Sequence, residues 1–148
     1  MVSLQWVREF RYVYAALGPQ EGTLQWRVED SMKAEALGRF LDQVSNAHPD
    51  RQVLLVMDQA RSHKARDLAV PHNILLEFLP PYSPELNPVE IFWHELREKY
   101  CTNRVFDSLE AVCHQVETGL SRFQSDPASV TRLCRWPWIH DGITMIAT

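Results

Sequence analysis

Residues 53–90 read VLLVMDQARSHKARDLAVPHNILLEFLPPYSPELNPVE, and the order of apolar runs and punctuation in this stretch decides the fold class. Val53 to Met57 is a short unbroken apolar run, the pattern of a strand buried on both faces of a parallel sheet. Ile74 to Leu79 is a second such run. Parallel neighbours need a crossover connection, so residues 53–79 are expected to form a βαβ unit with a short helix over 61–69. The PPYSPELNP segment cannot be helical throughout, because proline inside a helix removes a donor and clashes with the preceding turn. It delays the next helix until Asn87, a good N-cap, with Pro88 suited to the first helical position. From there Val89, Trp93, Leu96 and Tyr100 fall on one apolar face. Strand, crossover, strand and capped helix together define an α/β protein.

Upstream, Arg11 to Leu17 is rich in aromatic and β-branched residues, Gly18 to Gly22 reads as a turn, and Thr23 to Val28 alternates with period two. This is a β-hairpin. Asp30 or Ser31 is expected to cap a helix in which Met32, Leu37, Phe40, Leu41 and Val44 recur at helical spacing up to the His48-Pro49 break. Downstream, a helix starting near Asp107 turns Leu109, Val112, Val116, Leu120 and Phe123 inward, and a tail with Trp136 and Trp138 is expected to pack irregularly. The region from about 107 to 148 thus forms a largely helical C-terminal part.

A chain of 148 residues is expected to be a single domain, large enough to fold around one core without disulfides or a structural metal. Its 45% hydrophobic and 23% charged residues are ordinary for a globular protein. No apolar run approaches the roughly 20 residues that span a bilayer, and MVSLQWVREF lacks the apolar stretch of a secretory signal, so the expected location is the cytoplasm. Cys101, Cys113 and Cys134 are odd in number and far apart, which suits neither a zinc site nor a disulfide framework. The formal charge of −4 argues against a stand-alone DNA-binding module. Any DNA contact must be local or shared with another segment.

Two carboxylates stand where chemistry is expected. Asp58 lies immediately beyond a strand of the parallel unit, where open α/β sheets place their ligand crevice, although a turn or capping role is equally open. Glu90 is the third helical residue after Asn87, so a capping-box role competes with a functional one. Brought together, two such groups repel unless a cation lies between them. Oxygen ligands with open coordination positions suit Mg²⁺ or Mn²⁺, and two such ions can stabilise the attacking and leaving oxygens of a phosphodiester exchange. Arg61, Lys64 and Arg66 cluster beside Asp58 in an otherwise acidic chain, either as a solvated helix face or as the basic patch a DNA strand needs. Phe92 and Trp93 are read as core rather than base-stacking residues.

The segment VMDQARSHKARDLAVPHNILLEFLPPYSPELNPVEIFWHELREKY resembles the core of DDE transposases of the IS630/Tc1/mariner kind, which carry a D-x₄-H element followed by LPPYSPELNP-x-E-x₂-W. The likeness extends to VREFRYVYAAL at the front and to NRVFDSLEA and RWPWI at the back. It implies an RNase H-like (retroviral-integrase-like) mixed sheet flanked by helices, with Asp58 as second metal ligand and Glu90 as third. Residues 59–89 separate them, a somewhat shorter interval than in the related Tc1 group. His63 resembles the histidine of the D-x₄-H element and would orient a carboxylate or contact phosphate, the alternative being a merely packed side chain. At position 94 the family usually has an acidic residue, and His94 is expected to face solvent. Tyr82 and Ser83 are read as setting the entry angle of Glu90.

The family's first aspartate belongs to a central strand upstream of the 11–28 hairpin. No such strand is read here, so the chain is expected to be a partial catalytic domain lacking the usual first strand. Glu9 and Asp30 are weak substitutes for a ligand that needs a rigid central element. The gap is expected to be met by a dimer through strand exchange or edge pairing, with residues 2–8 drawn into it or a rearranged sheet as alternatives. The resemblance implies metal-dependent DNA strand cleavage and strand transfer on transposon ends and target, inactive alone and completed by an upstream transposase fragment. The competing reading is a non-catalytic remnant that binds transposase.

Overall fold

The computed structural model describes residues 2–6, 9–31, 33–57, 68–81 and 87–134, with the strand residues up to Phe10 as backbone. It is a mixed α/β structure with two small sheets. Strands β1 (Val2–Trp6), β2 (Glu9–Gly18) and β3 (Thr23–Glu29) form an antiparallel sheet in that order. The expected hairpin is β2–β3, in register from Tyr12 opposite Glu29 to Gly18 opposite Thr23. Its turn closes with the Gly22 amide donating to the Gly18 carbonyl at 2.8 Å. Gly22 has φ +71°, and a Cβ there would stand 2.1 Å from the Pro127 carbonyl oxygen, so both backbone and packing demand glycine.

The strand β1 corrects the expectation that nothing pairs upstream of the hairpin. Its register runs from Val2 opposite Val13 to Trp6 opposite Glu9, so the first half of that edge of β2 is occupied within the chain. The signal was present as alternation of Val2, Leu4 and Trp6 with Ser3 and Gln5. Tyr14 to Gly18 of β2 extend beyond the reach of β1.

Helix α1 (Ala34–Ala47) starts after Lys33, not at Asp30 or Ser31. Strand β3 continues to Glu29, and the Ser31 hydroxyl accepts from the Lys33 amide at 2.9 Å, so its oxygen serves the turn ahead of the helix. Ala36, Leu37, Phe40, Leu41 and Val44 of α1 are buried. They share one core with Tyr14 and Ala16 of β2 and with Val53, Leu55, Ile74 and Leu76 of the second sheet. Tyr14 and Phe40 stack at 5.6 Å.

That second sheet pairs β4 (Val53–Met57) with β5 (Ile74–Phe78) in parallel, from Val53 opposite Ile74 to Met57 opposite Phe78. Both strands fall where expected, but burial on both faces does not. Alternate residues Leu54, Val56 and Leu75 are 38%, 47% and 60% exposed. The physical reason lies in the remaining helices, α2 (Pro88–Tyr100), α3 (Leu109–Gln124) and α4 (Pro127–Leu133). They pack on the first sheet instead, against Val13, Ala15 and Leu17 of β2 and Leu24, Trp26 and Val28 of β3. Within this layer α2 and α3 approach so closely that a Cβ on Gly119 would stand 2.7 Å from side-chain carbons of both Leu96 and Tyr100. Of the helix expected over 61–69, residues 61–67 lie outside the described residues, and Leu68 and Ala69 are not helical. Trp136 and Trp138 also lie outside them.

Two polar arrangements fix α1. Asn73, 3% exposed, directs its amide nitrogen at the carbonyls of His48 (3.0 Å) and Arg51 (3.2 Å), and the Ser45 hydroxyl donates to its amide oxygen. Its own carbonyl accepts from the Val53 amide at 2.7 Å. One side chain thus satisfies carbonyls around the end of α1 while its backbone starts the β4–β5 ladder. At the other end, Arg39 of α1 donates to both oxygens of Glu29 at 2.8 Å, and Arg27 donates to one of them at 2.6 Å. Hydrogen bonding from Arg39, reinforced by Arg27 against the opposing effect of burial, lowers the Glu29 carboxyl to about 2.

Asn73→Ala leaves several buried groups without partners and should lower stability on the order of 2 kcal/mol in urea unfolding. The Glu29 carboxyl is depressed in the folded state, so its contribution is fully present above its ordinary value of 4.5 and is lost as pH falls through about 2. The unfolding midpoints of wild type and Glu29→Gln should therefore differ at neutral pH and converge as the solution is acidified towards pH 2.

Candidate metal centre

The backbone around position 58 is held from below. The Met57 carbonyl accepts from the Leu79 amide at 2.8 Å, which carries the parallel pairing one step past β5. The chain therefore leaves β4 at the C-terminal end of a parallel pair, the end at which such sheets present ligand-binding groups. Asp58 is the next residue in sequence. It lies outside the described residues, as do His63 and the basic trio Arg61, Lys64 and Arg66. Leu79 is buried, Pro80 and Pro81 are exposed, and Tyr82 and Ser83 again fall outside.

Glu90 is described. The Asn87 backbone is extended, its side-chain oxygen accepts from the Val89 amide at 3.1 Å, and Pro88 opens the helix. The Glu90 amide donates to the Asn87 carbonyl at 3.1 Å. Asn87 thus caps α2 as its sequence suggests. The reciprocal half of a capping box, the Glu90 carboxylate reaching back to the Asn87 amide, is not formed among the described residues. The carboxylate is exposed and carries no hydrogen bond or ion pair among them.

Its support is rigid. Val89, Phe92, Trp93 and Leu96 are buried, with Phe92 against Trp93 and Phe123 at 5.2 Å each. Phe92 and Trp93 are core, as read from the sequence. His94, one turn beyond Glu90, is exposed. The helix therefore presents Glu90 and His94 to solvent from a base that cannot rotate without unpacking four side chains.

Other candidates are weaker. Asp30 is 85% exposed and pairs with Arg11 at 3.3 Å, while Glu9 begins β2. Among the described residues no group of three or more His, Cys, Asp or Glu is assembled to hold a metal. Burial pushes the thiols of Cys101 and Cys113 up and that of Cys134 to about 11, so all three stay protonated near neutral pH. The most perturbed carboxylate described, Glu29, was not singled out by sequence reasoning. Its signal is the Arg27 partner two residues away on the same strand face, and its role is structural.

Residues 8–113 match the family of DDE superfamily endonucleases, and the chain belongs to it. DDE superfamily endonucleases generally use divalent metal ions, and their nuclease domains act on DNA. The chain is also similar to an uncharacterized protein, y4pE/y4sA, of Sinorhizobium fredii, with 31% identity over 130 residues that make up 87% of this chain and 96% of the relative. No solved structure gives a significant match. No helix among the described residues is long and apolar enough to cross a membrane.

Because Glu90 makes no cap contact, Glu90→Gln should change stability by less than about 0.5 kcal/mol, the range of ordinary surface substitutions. Asn87→Ala, which removes the cap itself, should cost about 1 kcal/mol. Urea denaturation of the metal-free protein distinguishes the two, and a larger loss for Glu90→Gln would restore the capping-box role.

Proposed function

We propose that this chain is a single, partial catalytic domain of an IS630/Tc1/mariner-type transposase, RNase H-like in fold, in which Asp58 and Glu90 hold Mg²⁺ or Mn²⁺. The carrying observation is Glu90: a carboxylate fixed at a capped and packed helix start, left without a protein partner among the described residues, in a chain of this family. Its hard oxygen donors fit such an ion. Bound there, the metal supplies charge stabilisation at a phosphodiester and activates the attacking oxygen.

The chain's own residues supply position. Asp58 approaches from the end of β4 and Glu90 from the start of α2, so two different elements set the spacing of the ligands. His63 orients one carboxylate or contacts phosphate. Arg61, Lys64 and Arg66 hold the DNA backbone locally, which reconciles a DNA substrate with a net charge of −4. No nucleophilic side chain is needed: water opens the first phosphodiester, and the released 3′-hydroxyl then attacks target DNA.

The family's first aspartate has no counterpart in β1, whose sequence VSLQW contains no carboxylate. The third ligand is proposed to come from another polypeptide, an upstream transposase fragment or a second copy, working on DNA in the cytoplasm. The same observation favours the second reading, a non-catalytic relative that binds transposase, and the experiment separates the two.

Calorimetry with Mn²⁺ should show weak binding to the wild type, because two carboxylates leave much of an octahedral shell to water. Binding should vanish in the Asp58→Asn, Glu90→Gln double variant, and equal binding by both would sink the metal assignment. With an inverted-repeat duplex and Mn²⁺ the chain alone should not cut, and adding a fragment that carries the aspartate-bearing strand should restore nicking. Restored nicking supports the enzyme. Continued inactivity with intact Mn²⁺ binding supports the non-catalytic reading.

A further inference from the structure

The two sheets share α1 but differ on the side turned away from it. On β2 that side consists of Val13, Ala15 and Leu17, covered by α2, α3 and α4. On β4–β5 it consists of Leu54, Val56, Leu75 and Glu77, all exposed, with Leu54 opposite Leu75 and Val56 opposite Glu77. An apolar strip on the side of the molecule where three helices already stand calls for an occupant.

The size of the strip selects among occupants. Three partly exposed aliphatic side chains offer a few hundred Å² at most, well below the roughly 800 Å² per partner of a stable complex between separate chains. A segment of the same chain does not pay the association cost of a separate partner, so a small strip suffices for it. Residues 135–148, RWPWIHDGITMIAT, follow α4 directly and lie outside the described residues. They include Trp136, Trp138, Ile139, Ile143, Met145 and Ile146. Helix α4 belongs to the layer on the same side as the strip, with Val130 fully buried in its core. Extended at about 3.3 Å per residue, such a segment reaches up to ~46 Å, which exceeds the diameter of a domain with a radius of gyration of about 15 Å.

We propose that the C-terminal segment 135–148 docks on the outer face of β4–β5, covering Leu54, Val56 and Leu75. It completes for the second sheet the two-sided cover that α1 and α2–α4 give the first. The docking buttresses β4 from the face opposite α1, and β4 is the strand that leads into Asp58.

Hydrogen exchange of the full-length protein by mass spectrometry tests this, with Leu75→Lys and Leu75→Met as variants. Leu75 is 60% exposed to the described structure, so neither change threatens the fold. In the wild type, peptides from 136–146 should be protected. Leu75→Lys should speed their exchange about tenfold or more, the scale of losing a local docking contact, while α3 peptides stay unchanged and Leu75→Met retains protection. Unprotected 136–146 in the wild type, or protection indifferent to Leu75→Lys, overturns the proposal. So does sedimentation showing a dimer that Leu75→Lys dissociates, since a second copy would then be the occupant.

Discussion

Everything in this fold hangs on one apolar helix face that serves two sheets. Leu37, Phe40, Leu41 and Val44 of α1 meet Tyr14 and Ala16 of β2 and, in the same core, Val53, Leu55, Ile74 and Leu76 of β4–β5. At about 1.5–3 kcal/mol for each fully buried large aliphatic or aromatic side chain, this shared face holds together two sheets that no strand ladder joins among the described residues. The polar anchors at the ends of α1 matter for the same reason. Glu29 with Arg39 ties the start of the helix to β3, and Asn73 ties its end to the β4–β5 ladder, so α1 is registered against both sheets at once.

The site inherits its geometry from that registration and from a second, independent layer. Position 58 follows a strand whose inner face rests on α1. Glu90 starts a helix whose buried face rests on the other side of the first sheet, among Val89, Phe92, Trp93 and Leu96. A carboxylate that a helix would ordinarily spend on its own amides is left facing solvent because Asn87 already caps α2. In a DDE superfamily endonuclease that is the condition under which a ligand remains available to a metal.

Much of this was legible in the sequence. The Asn87-Pro88 pair fixed the start of α2 because capping and proline placement act locally, and the Gly18–Gly22 turn fixed the hairpin for the same reason. Longer-range features were harder to read. A five-residue apolar run reads the same whether one face or two are covered, since cover is decided by where distant helices pack; hence the exposure of Leu54, Val56 and Leu75 went unforeseen. Strand β1 was overlooked although Val2, Leu4 and Trp6 alternate, because so short a run gains its identity only beside β2. Ser31 was read as a helix cap, yet its oxygen serves an amide two residues on, a choice that Ser offers with little energetic difference. For Glu90, ligand and capping roles require the same residue type at the same helical position, and only the hydrogen-bond geometry separates them.

The stagger between β1 and β2 has a practical corollary. Because Val2 faces Val13, and β2 runs on to Gly18, any polypeptide joined ahead of Val2 is aimed along the backbone of Tyr14 to Gly18 rather than away into solvent. An affinity tag fused at the amino terminus would thus enter as a neighbour of the sheet, free to add a rung to it. A tag meant to be inert would need a proline or a charged spacer at that junction, residues that a sheet edge accepts poorly.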